Sequence, residues 1–253
     1  MPDYLYPILG AVLGLVIGSF LATIVSRWPE GKSVVSGRSR CDSCNQPLHA
    51  RDLVPVLSYI ARSGKCAYCG AAIKSDHLLI ELSAGLIGGL ALFAVPGMAG
   101  LWGAIFGWLL LTLAALDAQH HWLPDRLTLS LAATGLVSSL FIENPDILSR
   151  LVGGVTGFLT LFLIGWGYHK LRGREGLGGG DPKLLGAIGC WLGWSALPLV
   201  ILGAALAGLL AALMMRMRGQ VVMADSMLPL GGFMAIVAFP LWIIQTMTGG
   251  ILL

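Results

Sequence analysis

More than half of this 253-residue chain lies in six stretches that contain no Asp, Glu, Lys or Arg. These stretches are 4–26, 82–116, 127–142, 151–169, 184–215 and 226–253. A helix needs about 20 consecutive apolar residues to cross a bilayer, and most of the stretches exceed that length. Charged residues make up 11% of the chain, against roughly 25% in soluble domains. The sequence therefore predicts an all-α polytopic membrane protein, and it excludes a soluble enzyme, a disulfide-rich secreted protein and a disordered chain.

Helix-breaking residues divide the longest stretches and bring the predicted number of transmembrane segments to about eight. A Pro-Gly pair at 96–97 splits the stretch 82–116 into a helical hairpin. The stretch 184–215 breaks between about Trp194 and Pro198 into a short helix and a longer one. The stretch 127–142 is the shortest of the six and is barely long enough to span a bilayer.

Glycines recur at intervals of four residues in two of the predicted helices. They lie at Gly10, Gly14 and Gly18 in the first segment and at Gly85 and Gly89 in the second. Small residues at this spacing let two helix backbones approach closely. We therefore assign these glycines a packing role and no chemistry.

One polar insert interrupts the apolar segments. Residues 27–78 hold half of the chain's 16 Lys and Arg and four of its five cysteines. Basic loops remain on the cytoplasmic side of membrane proteins, so we expect a cytoplasmic insert and an N-terminus outside. The chain is thus predicted to comprise a first transmembrane helix (1–26), the insert (27–78) and a membrane domain (79–253) that holds the remaining apolar segments.

The insert contains two C-x2-C pairs, Cys41/Cys44 and Cys66/Cys69, whose four thiolates fit a tetrahedral zinc site. Cytoplasmic thiols stay reduced, and an insert of this size has too little core to fold alone, which favours a bound metal over disulfides. Four protein ligands close the site, so the zinc is predicted to be structural. A pair of redox-active dithiols is the alternative interpretation. Cys190, in an apolar segment, is predicted to be a small buried hydrophobe.

Two aspartates lie at the predicted cytoplasmic ends of apolar segments. Asp117 ends the third segment, and Asp181 follows three glycines at the start of the sixth. An acid at the membrane edge costs free energy, so a function is expected. Two close carboxylates cannot both ionise easily, so one acts as an acid while the other activates water for peptide hydrolysis. Helix capping is the alternative, and it is our interpretation of Asp125, which opens the next helix.

Three further ionisable sites lie near the predicted membrane edge, and the sequence leaves the roles of two of them undecided. His120 and His121 are adjacent and would point in different directions on a helix, so we predict no shared metal. Glu81 opens the second apolar segment and is interpreted either as the partner of a base or as part of the site. Lys183 either tunes Asp181 or marks the membrane boundary.

Several motifs follow one another in a fixed order over nearly the whole chain. They are Gly18-Ser19-Phe20-Leu21, the paired cysteine knuckles, Val54-Pro55-Val56-Leu57-Ser58-Tyr59, the stretch from Asp117 to Leu-Pro-Asp125, and Glu175-Gly-Leu-Gly-Gly-Gly-Asp181-Pro-Lys183. Together they resemble the bacterial type IV prepilin peptidases, membrane aspartic proteases of pilus and type II secretion systems. The resemblance implies that Asp117 and Asp181 are the catalytic pair. It also implies cleavage of short basic leaders from prepilins or pseudopilins, after a glycine, at the cytoplasmic face of the bacterial inner membrane.

The resemblance further implies a second activity, because many members methylate the new N-terminus with S-adenosylmethionine. No Rossmann-type glycine pattern follows a strand here, so the sequence places no residues at that cofactor. The chain also departs from the family pattern. Ala22 stands where Asn is common, Gln119 stands where many members have Asp, and Pro229-Leu-Gly-Gly232 is a loosened form of a family signature. Both acids remain, so a peptidase without methyltransferase activity is the alternative.

The sequence leaves two alternative functional classes. In a transporter the acids would relay protons or bind a cation, but such acids usually lie near the midplane of repeated halves, and this chain has no internal repeat. A membrane scaffold with a zinc module and no catalysis is the third class. The expected partners are prepilin or pseudopilin substrates and the lipid bilayer, with no nucleic acid, and the sequence leaves the oligomeric state open.

Overall fold

The structure is a computed structural model that describes residues 3–34, 40–41, 43–174, 176–220 and 229–250. Within these ranges the chain is almost entirely helical, and its β-structure is limited to two isolated bridges. The described helices are α1 (Leu5–Arg27), α2 (Leu57–Ala61), α3 (Ser75–Ala94), α4 (Met98–His120), α5 (Asp125–Ser138), α6 (Ile147–Arg172), α7 (Asp181–Leu192), α8 (Leu197–Met217) and α9 (Leu230–Met247). A short 3₁₀ helix spans Ala50–Leu53 in the insert. The predicted all-α class is confirmed.

Six of these helices are long and apolar enough to cross a membrane, judged by length and composition: α1, α3, α4, α6, α8 and α9. Helices α5 and α7 have 14 and 12 residues and are shorter than a span requires. Helix α2 lies in the polar insert. The eight helices outside the insert correspond to the eight predicted segments, and six of them qualify as spans. The chain is a multi-pass membrane protein.

Glycine and proline end the helices where the sequence predicted breaks. Gly97 adopts φ +86° between α3 and α4, and Gly193 adopts φ +76° between α7 and α8. Left-handed backbone of this kind strongly favours glycine. Pro198 lies in the first turn of α8, where its missing N–H leaves no helical hydrogen bond unmade. The hairpin in 82–116 and the break in 184–215 are thus confirmed.

The described chain forms two compact units, Met1–Thr112 and Leu113–Leu253. In the first unit, α1 and α3 pack closely along their lengths. Gly10 faces the carbonyl of Gly88, Gly14 faces Ala84, and Gly18 lies against Glu81, so a Cβ on any of these three glycines would collide with α3. The predicted packing role of the α1 glycines is confirmed.

On α3, however, the tightest glycine is not one of the predicted pair. Gly88 lies against the backbone of Gly10, whereas a Cβ on Gly89 would meet its nearest atoms at an ordinary 3.5 Å. The four-residue spacing therefore identified the helix face only approximately. Trp108 of α4 adds a hydrogen bond of 2.9 Å from its Nε1 to the Ala84 carbonyl in the same unit.

In the second unit, the short helix α7 is enclosed by longer helices. Every residue of α7 except Lys183 is buried, including Cys190 as predicted. Helix α6 approaches through Gly153, which faces the backbone of Gly189. Helix α5 approaches through Gly135, which lies against Trp191. Because protein surrounds α7, this helix does not need the length of a bilayer.

A buried arginine binds backbone carbonyls at the end of α5 and in the loop between α5 and α6. Arg150 of α6 is 1% exposed and donates to the carbonyls of Gly135, Ile142 and Pro145 at 2.8, 3.1 and 2.8 Å. It also donates to Ser138 Oγ at 2.8 Å. A cation suits this place because the last carbonyls of a helix lack partners and carry partial negative charge.

The insert has a small polar centre at Asp52. Its carboxylate accepts from the His49 backbone N–H at 3.0 Å, pairs with the Arg62 guanidinium and accepts from the Tyr68 hydroxyl at 3.4 Å. The His49 hydrogen bond and the Arg62 charge hold the pKa of the Asp52 carboxyl below its usual value, against the opposing effect of burial. This cluster joins the 3₁₀ helix to Arg62 and to Tyr68, which lies between Cys66 and Cys69.

Candidate active site and metal centre

Asp117 lies in the last turn of α4 and is 6% exposed. Its Oδ2 accepts a hydrogen bond of 2.7 Å from the backbone N–H of Gly232. Gly232 is in the first turn of α9, where backbone N–H groups have no partner inside the helix. The N-terminus of α9 therefore offers Asp117 a donor and a favourable partial positive charge.

Asp181 is the first residue of α7 and is 7% exposed. Its Oδ2 accepts from the Gly178 backbone N–H at 3.2 Å, and its own N–H donates to the Gly178 carbonyl at 3.1 Å. A Cβ on Gly180 would lie 2.7 Å from the Leu123 Cβ. The glycines before Asp181 thus allow two close contacts. The backbone at Gly178 folds back to bond the Asp181 carboxylate, and Gly180 packs against Leu123.

The two carboxylates meet at Gly231. A Cβ built on this glycine would lie 3.0 Å from Asp117 Oδ2 and 3.1 Å from Asp181 Oδ1, so the two oxygens are separated by no more than the sum of these distances. The same Cβ would lie 2.7 Å from Leu123 Cδ1. The structure therefore brings the two predicted acids together over a backbone that has no room for a side chain.

The lysine that follows Asp181 forms an ion pair with a different acid. Lys183 Nζ binds Asp125 Oδ1 at 2.6 Å, so its observed partner is Asp125 and not Asp181. Asp125 opens α5, as predicted. Glu175, which belongs to the motif before Asp181, lies outside the residues that the structure describes.

The four cysteines of the insert converge. The Sγ atoms of Cys41, Cys44, Cys66 and Cys69 all lie within 4.8 Å of one another, and those of Cys41 and Cys69 are 3.9 Å apart. In a tetrahedral zinc site with Zn–S bonds of about 2.3 Å, the sulfurs are separated by about 3.8 Å. The side chains present therefore fit a four-thiolate zinc ion with small adjustments.

The two cysteine pairs have the same backbone design. Cys41 N–H donates to Gln46 at 3.0 Å and Cys66 N–H to Ala71 at 2.9 Å, five residues ahead in each case. In the opposite direction, the N–H groups of Asn45 and Gly70 donate to the carbonyls of Cys41 and Cys66, and both donor residues have positive φ. Each C-x2-C pair is therefore held in the same turn.

The thiols differ in acidity before any metal binds. Backbone N–H groups of Tyr68 and Cys69 lower the pKa of the Cys66 thiol to about 6. Although the Ala71 N–H acts to lower the pKa of the Cys69 thiol, burial and the other thiols raise it to about 11. A dication would favour the thiolate form at all four positions.

Glu81 has a partner that the sequence did not predict. Its Oε2 accepts a hydrogen bond of 2.8 Å from the backbone N–H of Val56 in the insert. Val56 has φ +61° and ψ −50°, which is unusual for a β-branched residue. Neither predicted interpretation of Glu81 anticipated a backbone donor.

Sequence reasoning also missed the groups that contact the acids. Gly231 and Gly232 were assigned to a loosened signature, and Leu123 was given no role. A signal was present, because two consecutive glycines, separated from Pro229 by one leucine at the start of an apolar helix, indicate close approach to its N-terminus.

Comparisons with known proteins identify the family. Residues 12–95 match the bacterial peptidase A24 N-terminal domain, and residues 104–213 match the type IV leader peptidase family. Proteins named prepilin leader peptidase/N-methyltransferase from Burkholderia pseudomallei (strain 1026b) and Dickeya chrysanthemi are each 40% identical to this chain. The first alignment covers 88% of this chain and 81% of the relative, and the second covers 80% of each.

A similarly named protein from Klebsiella pneumoniae is 39% identical, with 75% of this chain and 86% of the relative aligned. No solved structure gives a significant match. The two family matches lie one after the other along the sequence, and the relatives align with most of it. This chain belongs to the type IV leader peptidase family.

Proposed function

We propose that this chain is a bifunctional prepilin leader peptidase and N-methyltransferase. It removes the basic leader of a type IV prepilin or type II secretion pseudopilin after a glycine, and it then methylates the new N-terminus with S-adenosylmethionine. The names of relatives that are 40% identical over most of the chain support both activities. The chemistry of the described site supports the first activity directly.

One observation carries the peptidase assignment: Asp117 and Asp181 approach the same glycine, Gly231, while both are nearly buried. Two close acids favour a state with one shared proton. The ionised carboxylate takes a proton from water, whose oxygen attacks the peptide carbonyl. The protonated acid donates to the carbonyl oxygen, and a proton then passes to the leaving amine as the C–N bond breaks.

The position of the acids suits a substrate that is itself in the membrane. Asp117 ends a candidate span, α4, and Asp181 begins the enclosed helix α7. A prepilin has an apolar N-terminal helix behind its leader, so its scissile bond would arrive at this edge by lateral diffusion. Restricting the search to the bilayer plane lowers the entropy cost of bringing the bond to the acids.

We place the enzyme in the bacterial inner membrane with the insert and the acids facing the cytoplasm and the N-terminus outside. The insert holds half of the chain's Lys and Arg, and basic segments remain on the cytoplasmic side. Lys170 and Arg172, at the end of α6 that leads to Asp181, satisfy the same rule. Glu143 and Asp146 then lie on the opposite side.

We assign a structural zinc ion to Cys41, Cys44, Cys66 and Cys69. The spacing of their sulfurs and the matching turns support this assignment. With four protein ligands the ion would hold the insert together and would leave no coordination position for substrate. None of the described residues is assigned to S-adenosylmethionine.

Mass spectrometry of a co-expressed prepilin tests the proposal. We expect a pilin shortened by its leader and heavier by one methyl group with the wild type. Asp117→Asn or Asp181→Asn removes an acid or base and is expected to slow cleavage by about 10²–10⁴-fold or more. Asp146→Asn, which changes an acid outside the site, is the matched control and should cleave normally.

The outcomes separate the alternatives. Near-normal cleavage by either active-site variant, with normal membrane insertion, would refute the aspartate pair. A shortened pilin without the extra methyl would leave a peptidase alone. An intact pilin with the wild type would refute the peptidase assignment for that substrate class and would favour a non-catalytic membrane protein.

A further inference from the structure

We propose that residues 53–61 of the insert, here called segment 53–61, lie at the boundary between lipid headgroups and acyl chains. Phospholipid covers the exposed apolar side chains of the segment, and Glu81 anchors it at that depth. This inference concerns a membrane contact of the insert and does not depend on which reaction the aspartates perform.

The depth of the segment follows from the helix that holds it. Glu81 lies in the second turn of α3, about 9 Å along the helix axis from Ser75 at a rise of about 1.5 Å per residue. Its Cα lies against Gly18 of α1, and Gly18 is about 14 Å along α1 from Arg27. Both helices are candidate spans. Glu81 is therefore inside the candidate span of α3, and it lies at the level of Gly18 inside the candidate span of α1.

The insert backbone reaches this level at Val56. The Val56 N–H donates to Glu81 Oε2 at 2.8 Å, so the chain comes within hydrogen-bond distance of a side chain in the span. The Leu57 N–H donates to the Pro55 carbonyl at 2.5 Å around Val56. With φ +61° and ψ −50°, Val56 is the centre of a γ-turn, a rare and strained conformation.

At this depth the turn needs a hydrogen-bond acceptor for its backbone N–H, and the Glu81 carboxylate supplies one. Non-helical backbone inside the hydrocarbon region is tolerated only when its polar groups find partners in the protein. Glu81 supplies an acceptor to the Val56 N–H, and the strain at Val56 persists because the turn is fixed on both sides. Glu81 is thus a positioning residue for segment 53–61.

The side chains of the segment are apolar and uncovered by protein. Leu57 and Ile60, in α2, are 67% and 64% exposed, and no residue of α2 is buried. Leu53 and Val54 are also exposed. A soluble surface rarely concentrates four large apolar side chains in eight residues beside a strained turn.

Two features point to lipid as the occupant. The exposed Leu79 and Leu82 flank Glu81 on α3, so the apolar surface of the span and that of the segment occur at the same level. Exposed Arg51, Lys65 and Lys74 belong to the same insert and complement anionic headgroups. An apolar segment bordered by cations is typical of interfacial membrane contacts.

Site-specific photocrosslinking in the full-length protein tests the inference. A benzophenone amino acid is placed at Leu57 or, independently, at Ile60, and the protein is reconstituted in vesicles of phosphatidylethanolamine and phosphatidylglycerol. Gln46, an exposed polar residue of the first cysteine turn, is the matched control position. After irradiation, intact-mass analysis should find phospholipid adducts several-fold more abundant at 57 and 60 than at 46.

Two results would overturn the inference. Lipid adducts at 57 and 60 no more abundant than at 46 would place the segment in water. A crosslink to a second copy of the chain in place of lipid would make this surface a protein interface.

The anchor is tested separately with two changes at Glu81. Glu81→Gln keeps an acceptor oxygen and should preserve the lipid adduct at position 57. Glu81→Leu removes the acceptor and should reduce the adduct several-fold, and Glu81→Ala serves the same purpose if leucine prevents accumulation. An unchanged adduct in the variants without an acceptor would refute the anchoring role of Glu81.

Discussion

The four cysteines lie in two short turns of the same design, whereas the two aspartates lie on helices far apart in the sequence. Cys41 and Cys66 each bond a residue five positions ahead, so each half of the cluster is local. Asp117, Asp181 and Gly231 belong to α4, α7 and α9. A local arrangement tolerates changes elsewhere, while the aspartate site depends on how closely its helices pack.

The largest expected effect is on the local site. Cys41→Ser removes one of four thiolates, and the free energy of zinc binding by a structural site of this type is on the order of 10 kcal/mol. We expect the purified variant to lose most of its zinc, measured by elemental mass spectrometry, and its insert to become more sensitive to protease. Full zinc occupancy in Cys41→Ser would contradict the four-thiolate assignment.

Cys190→Ser is the matched control for the zinc measurement. Cys190 is buried in α7 and lies in the other compact unit. Its replacement should leave the zinc content unchanged even if the membrane helices lose stability. Equal zinc loss in both cysteine variants would indicate general unfolding and not the removal of a ligand.

The next effect tests close packing at the aspartates. Gly231→Ala places a methyl group 2.7 Å from Leu123 and 3.0 Å from the Asp117 carboxylate. The carboxylates must move, and a displacement of about 1 Å can cost about 10²-fold in rate. We expect prepilin cleavage to fall by about that factor, measured as initial rate with purified enzyme in detergent.

Gly232→Ala, one residue further, is a close control. A Cβ on Gly232 would meet its nearest atoms at 3.6 Å, which is ordinary contact, and the N–H that binds Asp117 is retained. This variant should cleave at a rate near that of the wild type. Equal losses at 231 and 232 would mean that the helix start, and not the space beside the carboxylates, determines activity.

A third effect concerns stability in the same unit. Arg150→Met removes hydrogen bonds to three backbone carbonyls and leaves these acceptors without their donor. We expect a loss of about 2–3 kcal/mol in the free energy of unfolding, because hydrogen bonds to charged groups exceed neutral ones in strength. Unfolding in detergent, followed by circular dichroism, measures it. Arg126→Met, at an exposed arginine, should change the stability little, and equal losses would contradict the role of Arg150.

These residues show which parts of the molecule a sequence can predict. The apolar helices followed from charge-free runs, because the bilayer sets one length and one polarity for every span. The breaks at Gly97 and just before Pro198 followed from backbone rules that act within a few residues. The turn that holds each C-x2-C pair was predictable for the same reason, and the convergence of the two pairs followed from the ligand number of zinc.

Contacts between distant segments were harder to predict. Asp117 and Asp181 were selected by their place at helix ends, but no sequence rule pointed to the Gly232 N–H as the donor to Asp117. Arg150 resembles an ordinary boundary charge in the sequence, yet it is fully enclosed. The partner of Glu81 is the backbone of Val56, and a backbone donor leaves no mark on residue type. Such contacts depend on tertiary packing and not on local pattern.

The smallest effect is expected at the charge pair beside the aspartates. Lys183 binds Asp125 at 2.6 Å, but the two side chains are 45% and 63% exposed, so water screens their attraction. We expect Lys183→Met to change the free energy of unfolding by less than about 1 kcal/mol. A double-mutant cycle with Asp125→Asn isolates the pair energy and should return a similarly small value. A coupling energy of several kcal/mol would mean that the pair is desolvated, and the aspartate site would then depend on this ion pair as well as on the glycines of α9.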